Sequence, residues 1–186
     1  MNPKACMVTD MLKNGFLDMS VRRILDGYRS KTLSPVDVAR ACIAQVEKWE
    51  PKVHALECFD ADKLLEQAQM IESRLAMGES SRLLEGIPVG VKDIFNTQDF
   101  PTQMGSPLWQ GFTPGNDARV VFHLKREGAT IPGKTVTAEF AVHTLGKTIN
   151  PHDVAKTPGT SSSGSAVAVA TGMFPVTLGT QTAGSI

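Results

Sequence analysis

Apolar side chains in the first 80 residues recur every three or four positions, which is the spacing of one buried helix face. The segment that begins at Ser34 predicts a helix, because Ser34 is a favourable N-cap and Pro35 suits the first helical position. We expect Pro51 to end this helix, since proline lacks a backbone N–H. A second helix is predicted over 60–77, and a weaker one over 20–28.

From residue 84 onwards, short apolar runs alternate with helical segments. Strands are predicted at 86–91, 129–135 and 174–179, and helices at 117–127, 137–141 and 163–171. This alternation predicts an α/β fold in which a mixed central sheet is flanked by helices. We expect one incomplete domain, formed by a helical N-terminal region (1–80) and the first part of an α/β core (81–186). The chain stops inside an apolar, glycine-rich run, so we expect it to be truncated.

The composition is typical of a soluble globular protein, with 41% hydrophobic and 20% charged residues in a chain of 186. Nineteen basic residues balance nineteen acidic ones, which removes the electrostatic case for a nucleic acid or an anionic membrane as partner. No stretch approaches the ~18 apolar residues of a spanning helix, and no signal peptide is evident.

Cysteine and histidine residues are few and scattered. Three cysteines, an odd number, stand far apart, and neither they nor the four histidines have the spacing of metal ligands. The pattern predicts free thiols in a reducing cytoplasm, with no metal and no organic cofactor.

Two loops rich in glycine, serine and threonine, at 158–165 and 179–185, are the first candidates for chemistry. Such loops let backbone N–H groups approach an anion, and their hydroxyls can act as nucleophiles. Taken alone, each is more commonly a polar turn that leads into a helix, and Ser163 could be simply a cap. Lys92 alone would be a strand-end lysine paired with Asp93.

Four segments taken together resemble the amidase-signature family. Residues 86–93 resemble its lysine strand, 133–140 its Gly-Lys-Thr-Asn-Met-Ser-Glu-Phe segment, 158–166 its Gly-Gly-Ser-Ser-Gly-Gly-Ser loop, and 179–186 its Gly-Thr-Asp-Thr-Gly-Gly-Ser-Ile loop. Their order is that of the family, and Ser161 and Ser185 stand 24 positions apart, as they do in the family. The resemblance runs from about residue 20 to the end of the chain.

This resemblance implies an amidase that hydrolyses a carboxamide C–N bond through a serine acyl-enzyme. It assigns Ser185 as the nucleophile, Ser161 as a bridging serine that follows a cis peptide, and Lys92 as the base. Lysine has an ordinary pKa near 10.4, so it acts as a base at neutral pH only where burial disfavours its charge. The oxyanion-hole stretch implied by the resemblance comprises Thr182, Ala183 and Gly184.

Several positions depart from the family pattern, and other interpretations stay open. Thr160, Ser163 and Ala183 replace glycines, and Gln181 replaces an acid, so we expect an altered pocket shape. As partners we expect a small-molecule amide, no direct nucleic acid and no membrane, and we leave a homodimer open. The alternatives are the amidase subunit of a tRNA-dependent amidotransferase, which takes ammonia from glutamine, and a non-catalytic truncated fragment.

Residues 128–135 also match the phosphate-binding pattern G-x-x-x-x-G-K-[ST]. That motif requires a strand before the loop, whereas a helix is predicted here, and Pro132 lacks an N–H that a phosphate would need. We interpret the match as coincidental and Lys134 as a structural or pocket-rim lysine. Glu139 and His143 are likewise interpreted as structural.

Overall fold

The computed structural model describes residues 3–142, 144–181 and 184–185. Its described residues form six α-helices: α1 (Pro3–Asn14), α2 (Val21–Arg29), α3 (Pro35–Val53), α4 (Ala61–Ala76), α5 (Arg119–Arg126) and α6 (Ser163–Ala170). Two short 3-10 helices cover Pro107–Trp109 and Glu139–Ala141. Among the helices of this described part, none is long and apolar enough to cross a bilayer.

A four-stranded mixed sheet lies at the centre of the fold, as the sequence predicted. Its strands are β1 (Leu56–Phe59), β2 (Val89–Lys92), β3 (Gly133–Thr135) and β4 (Val176–Leu178), in the order β1-β3-β2-β4. Strand β2 runs parallel to both β3 and β4, whereas β1 runs antiparallel to β3. The carboxyl end of β2 therefore lies in the middle of the sheet, which is where Lys92 stands.

Helix α3 begins as predicted but ends later. The Ser34 hydroxyl accepts the Asp37 N–H at 3.2 Å, and the Asp37 carboxylate accepts the Ser34 N–H at 3.0 Å, which forms a capping box. The prediction that Pro51 ends the helix is wrong, because the helix continues to Val53. Pro51 lies in the last turn, where its missing N–H removes one hydrogen bond, and the His54 N–H still reaches the Glu50 carbonyl at 3.0 Å.

Strand β1 was not predicted, and it connects the N-terminal region to the sheet. The Glu50 carboxylate accepts the N–H groups of Ala55 and Leu56 at 3.0 and 3.1 Å, and this interaction turns the chain from α3 into the strand. Leu56 then pairs with Thr135 of β3. Four residues are too few to produce a readable alternation of apolar and polar positions.

Helix α6 packs closely against the end of β3. A Cβ atom at Gly164 would clash with the backbone N of Val136 and the backbone O of Ala55. The Gly164 N–H donates to the Val136 carbonyl at 3.2 Å. This contact sets the position of the loop that precedes α6, which carries Ser161.

We predict that Gly164→Ala destabilises the fold, because the added methyl group must displace backbone from the end of β3. The expected loss is about 1–3 kcal/mol in the free energy of unfolding, measured by denaturant titration. Ala166→Ser, on the exposed side of the same helix, is the control and should change this free energy by less than about 0.5 kcal/mol. An unchanged unfolding midpoint for Gly164→Ala would contradict the close packing described here.

Candidate active site

The Lys92 side chain is fully buried and is surrounded by hydroxyl groups. Its amine lies 2.8 Å from Ser161 Oγ, 2.9 Å from Ser162 Oγ and 2.7 Å from Thr180 Oγ1. No acidic side chain of the described residues forms an ion pair with it; Asp93 pairs instead with Lys134. The alternative in which Lys92 is a surface lysine paired with Asp93 is therefore wrong.

Burial without a counter-ion changes the acid–base behaviour of this amine. Desolvation disfavours the ammonium form and lowers the pKa of Lys92 to about 8. The neighbouring hydroxyls are neutral and so do not restore the charge. A substantial fraction of the amine is then unprotonated at mildly alkaline pH, and an unprotonated amine can accept a proton.

Two serine hydroxyls link this amine to Ser185. Ser161 Oγ lies 2.5 Å from Ser185 Oγ, and Ser162 Oγ lies 2.9 Å from the same atom. The structure thus brings Lys92, Ser161 and Ser185 together in one hydrogen-bonded chain, although they come from β2, the loop before α6 and the C-terminal loop. A proton can pass along such a chain without large movement of any heavy atom.

The two serine-containing loops are held against each other by further hydrogen bonds. The Ser162 hydroxyl contacts both the carbonyl and the N–H of Thr180, at 2.9 and 3.2 Å. The Thr160 hydroxyl donates to the Gly184 carbonyl at 3.1 Å. At the base of the loops, Ser165 Oγ lies 2.7 Å from Thr135 Oγ1 and donates to the Leu178 carbonyl at 3.2 Å.

The sequence did not single out Ser162, Thr180 or Thr160 as site residues. Ser162 stands in the same serine run as Ser161, and Thr180 and Thr160 stand in the two loops already identified, so their proximity could have been inferred from the loops alone. Their individual contacts could not, because these depend on how the loops face each other.

The structure describes only some of the other features that the resemblance implies near Lys92, Ser161 and Ser185. Gly184 is described and has a left-handed backbone with φ of 109°, whereas Thr182 and Ala183 lie outside the described residues. The cis peptide implied before Ser161 is absent, since the described residues contain no cis peptide bond.

Glu139 has a contact that is consistent with its structural interpretation. Its carboxylate accepts the Ser106 hydroxyl at 2.8 Å. This hydrogen bond joins the two segments that form the 3-10 helices, because Ser106 directly precedes the first and Glu139 begins the second. His143 lies outside the described residues.

The phosphate-loop match at 128–135 has no free amides at its start. The N–H groups of Gly128, Ala129 and Thr130 donate to protein carbonyls at 2.9–3.0 Å. Lys134 is fully buried, so it does not lie at a pocket rim. Within the described ranges, no cluster of His, Cys, Asp or Glu has the geometry to hold a metal ion.

Comparison with known proteins places this chain in a family. The family model described as Amidase matches residues 37–186, and the chain belongs to this family. A curated relative from Acidothermus cellulolyticus, the A subunit of glutamyl-tRNA(Gln) amidotransferase, is 40% identical over 163 residues, which is 84% of this chain and 32% of the relative. The chain spans about a third of the length of the curated relatives it matches.

Two solved structures have the same fold over most of the chain. An amidase family protein from Bacillus anthracis has a TM-score of 0.83 at 26% identity, covering 96% of this chain and 38% of the other. Native peptide amidase from Stenotrophomonas maltophilia has a TM-score of 0.78 at 27% identity, and the match covers 86% of this chain and 35% of the peptide amidase. The predicted α/β fold with a mixed, helix-flanked sheet is confirmed.

The expectation about partners is wrong. It limited the partners to a small-molecule amide and excluded direct binding of nucleic acid. The curated relatives, however, carry a name that specifies a glutamyl-tRNA and one subunit of an amidotransferase. The expectation rested on a net charge of zero, which is an average over the chain. A binding surface depends on local charge, because screening confines electrostatic interactions to about 10 Å.

We predict that the Lys92 amine titrates with a pKa of about 8, because burial disfavours its charge. The measurement is a pH titration of lysine side-chain nitrogens by NMR, with Lys92→Met identifying the signal. The exposed Lys156 supplies a solvent-accessible lysine signal in the same spectra, assigned with Lys156→Met. A Lys92 midpoint above pH 10 would contradict the buried, unpaired environment.

Proposed function

We propose that Lys92, Ser161 and Ser185 are the catalytic triad of an amidase that hydrolyses a carboxamide C–N bond. The observation that carries this proposal is the continuous contact from Lys92 Nζ through Ser161 Oγ to Ser185 Oγ, at 2.8 and 2.5 Å. A serine hydroxyl is a weak nucleophile and needs a base, which an uncharged lysine provides. The chain covers about a third of its curated relatives, so the activity proposed is that of the whole protein.

The first half of the reaction transfers the acyl group to Ser185. Ser185 gives its proton to Ser161, which gives its own to the neutral Lys92 amine, and Ser185 Oγ attacks the carbonyl carbon. The carbonyl π electrons move to the oxygen and form an oxyanion. When they return, the C–N bond breaks and the proton held by Lys92 passes back through Ser161 to the leaving nitrogen, because an amide anion is a very poor leaving group.

The second half regenerates the enzyme. Water gives a proton to the same relay and attacks the acyl-enzyme carbonyl, and collapse of this second oxyanion releases the carboxylic acid and restores the Ser185 hydroxyl. We assign the oxyanion-binding amides to residues 182–184 on the basis of the family resemblance. Loss of one such donor typically lowers the rate by ~10²–10³.

Ser162 offers a second hydroxyl between Lys92 and Ser185. We assign the bridging role to Ser161 on the basis of the family resemblance, and its hydroxyl contacts both the Lys92 amine and Ser185 Oγ. Ser162 is also engaged by both backbone groups of Thr180, which restricts its rotation.

The finer elements of the proposal are a linear amide as substrate and the cytoplasm as location. The likeness to a peptide amidase supports the first, because a peptide amide is a linear amide. Free thiols at Cys6, Cys42 and Cys58 support the second, because reducing compartments maintain thiols.

A second candidate function is the amidase subunit of a tRNA-dependent amidotransferase. The names of the curated relatives, 37–40% identical to this chain, favour it. The same triad would then release ammonia from glutamine, with tRNA and further subunits as partners.

We predict that a fluorophosphonate probe labels Ser185 of the full-length protein, because the probe reacts with an activated serine. Lys92→Ala should slow labelling by about 10²–10⁴-fold, the usual contribution of general-base catalysis. The labelling rate should rise with pH through about 8, since only the neutral amine accepts a proton. Peptide mapping identifies the labelled residue. Mass spectrometry of samples quenched at successive times measures the rate of labelling.

Lys48→Ala is the matched control for the labelling experiment, because this lysine is exposed and its amine contacts the Lys13 carbonyl, which belongs to α1 and not to the site. It should label at the wild-type rate. If the folded protein acquires no adduct on Ser185, the catalytic assignment fails and the chain is best interpreted as a non-catalytic member of the family.

We predict that the full-length protein, without partners, releases ammonia from a linear primary carboxamide. The physical reason is that Lys92, Ser161 and Ser185 all lie within this one chain. Ammonia release is measured for a linear primary amide and for glutamine, each with and without partner subunits and charged tRNA. If ammonia is released only from glutamine, and only when the partner subunits and charged tRNA are present, the second candidate function replaces the first.

A further inference from the structure

A second lysine, Lys134, is buried beside the proposed base without a role in the mechanism above. Its side chain and that of Asp93 are both 0% exposed, and the Lys134 amine lies 2.8 Å from the Asp93 carboxylate. The same amine contacts the carbonyls of Phe95 and Pro101 at 3.0 and 3.1 Å and the Thr102 hydroxyl at 3.0 Å. Every one of these oxygens belongs to the segment that directly follows Lys92.

Both the backbone and the carboxylate of Asp93 form hydrogen bonds with neighbouring segments. Its N–H donates to the Thr135 carbonyl at 2.9 Å, and its carbonyl accepts the Met104 N–H at 3.0 Å. Its carboxylate accepts the Gln103 N–H at 3.1 Å. The residue next to Lys92 is therefore fixed to β3 and to the following loop, which fixes the direction in which the Lys92 side chain leaves the strand.

The two lysines lie on adjacent parallel strands and on opposite faces of the sheet. Val91 pairs with Lys134 and Lys92 pairs with Thr135, and successive side chains of a strand point to opposite faces. Lys134 therefore shares its face with Asp93, whereas Lys92 faces the hydroxyls. Among the residues whose burial the structure describes, two lysine amines are thus fully buried, and only that of Lys134 has a carboxylate partner.

Among the strands that the structure describes, only β1 adds a further charged residue to Lys92 and Lys134. Strand β1 carries Glu57, which pairs with Lys147 at 3.1 Å, and the Cys58 thiol, which lies near Lys134. Strand β4 and helix α6 contain no charged residue. Asp93 directly follows Lys92 in the chain, and Lys134 stands on the neighbouring strand opposite Val91, so this ion pair borders the position of Lys92.

Building on the proposed role of Lys92 as base, we propose that Asp93 and Lys134 form a positioning pair for Lys92. The pair fixes the end of β2 against β3, and it cancels its own charge, so that the Lys92 amine meets neither an unbalanced cation nor an unbalanced anion. Neither residue touches the reacting hydroxyls, so both act through Lys92.

The balance of charge is the part of this pairing that a purely structural ion pair would not require. Burial alone raises the pKa of Asp93 and lowers the pKa of Lys134, and the opposite charge of each partner opposes these shifts. Removal of Lys134 raises the pKa of Asp93 further, and the fraction of Asp93 that stays ionised favours the charged form of Lys92. Removal of Asp93 lowers the pKa of Lys134 further, and the fraction of Lys134 that stays protonated disfavours the charged form of Lys92. The two changes should therefore move the titration of Lys92 in opposite directions.

The experiment measures the rate of fluorophosphonate labelling at Ser185 against pH in the full-length protein. We expect the midpoint of the rising limb to shift up by about one pH unit in Lys134→Met and down by about one unit in Asp93→Asn. The double variant Asp93→Asn/Lys134→Met, which removes both charges, should return close to the wild-type midpoint. Lys134→Arg, which keeps the charge, should retain the wild-type midpoint even if it lowers the unfolding temperature.

Midpoints that stay at the wild-type value, or that move in the same direction in both single variants, would overturn the positioning pair. If Lys134→Met does not fold, Asp93→Asn decides alone, because asparagine has the same size and can still accept the Gln103 N–H. Failure of the catalytic assignment gives a different result. The wild-type protein would then acquire no adduct on Ser185, or it would be labelled at the same rate as the Lys92→Ala variant.

Discussion

The burial of the Lys92 amine among hydroxyl groups is the constraint on which the rest of the site depends. An ammonium group without a counter-ion is costly in a dry interior, so the environment favours the neutral form. Three hydroxyls satisfy the hydrogen-bonding capacity of the amine without restoring its charge. Such a site needs oxygens from separate parts of the chain, and the parallel pairing of β2 with β4 together with the close packing of α6 brings them there.

Lys92 and Lys134 demonstrate how strongly the environment decides what a lysine can do. The two residues are fully buried on neighbouring strands, and their sequence contexts are both apolar and glycine-containing. Lys134 has a carboxylate at 2.8 Å and three further oxygens, whereas Lys92 has only hydroxyls. One lysine is therefore suited to hold the fold and the other to exchange a proton, and the alternation of side chains across the sheet separates the two roles.

The identification of the family and the question of partners rest on different kinds of information. The motifs at 86–93, 158–166 and 179–186 identify the amidase family because their residue types and order serve one local chemistry. Partner binding depends on the distribution of charge over a surface, which a net charge of zero does not describe. The composition argument against nucleic acid failed for this reason, as the names of the curated relatives revealed.

The sequence by itself determined the features that depend on neighbouring residues. The N-cap at Ser34, the two serine loops and the α/β alternation all follow from local hydrogen bonding and hydrophobic periodicity. Only the tertiary structure decided that α3 continues past Pro51, that Leu56–Phe59 joins the sheet, that Ser162 and Thr180 contact Lys92, and that Asp93 pairs with Lys134 rather than Lys92. These contacts join residues as far as 88 positions apart, and no local pattern encodes them because their energy arises from packing and burial in the folded chain.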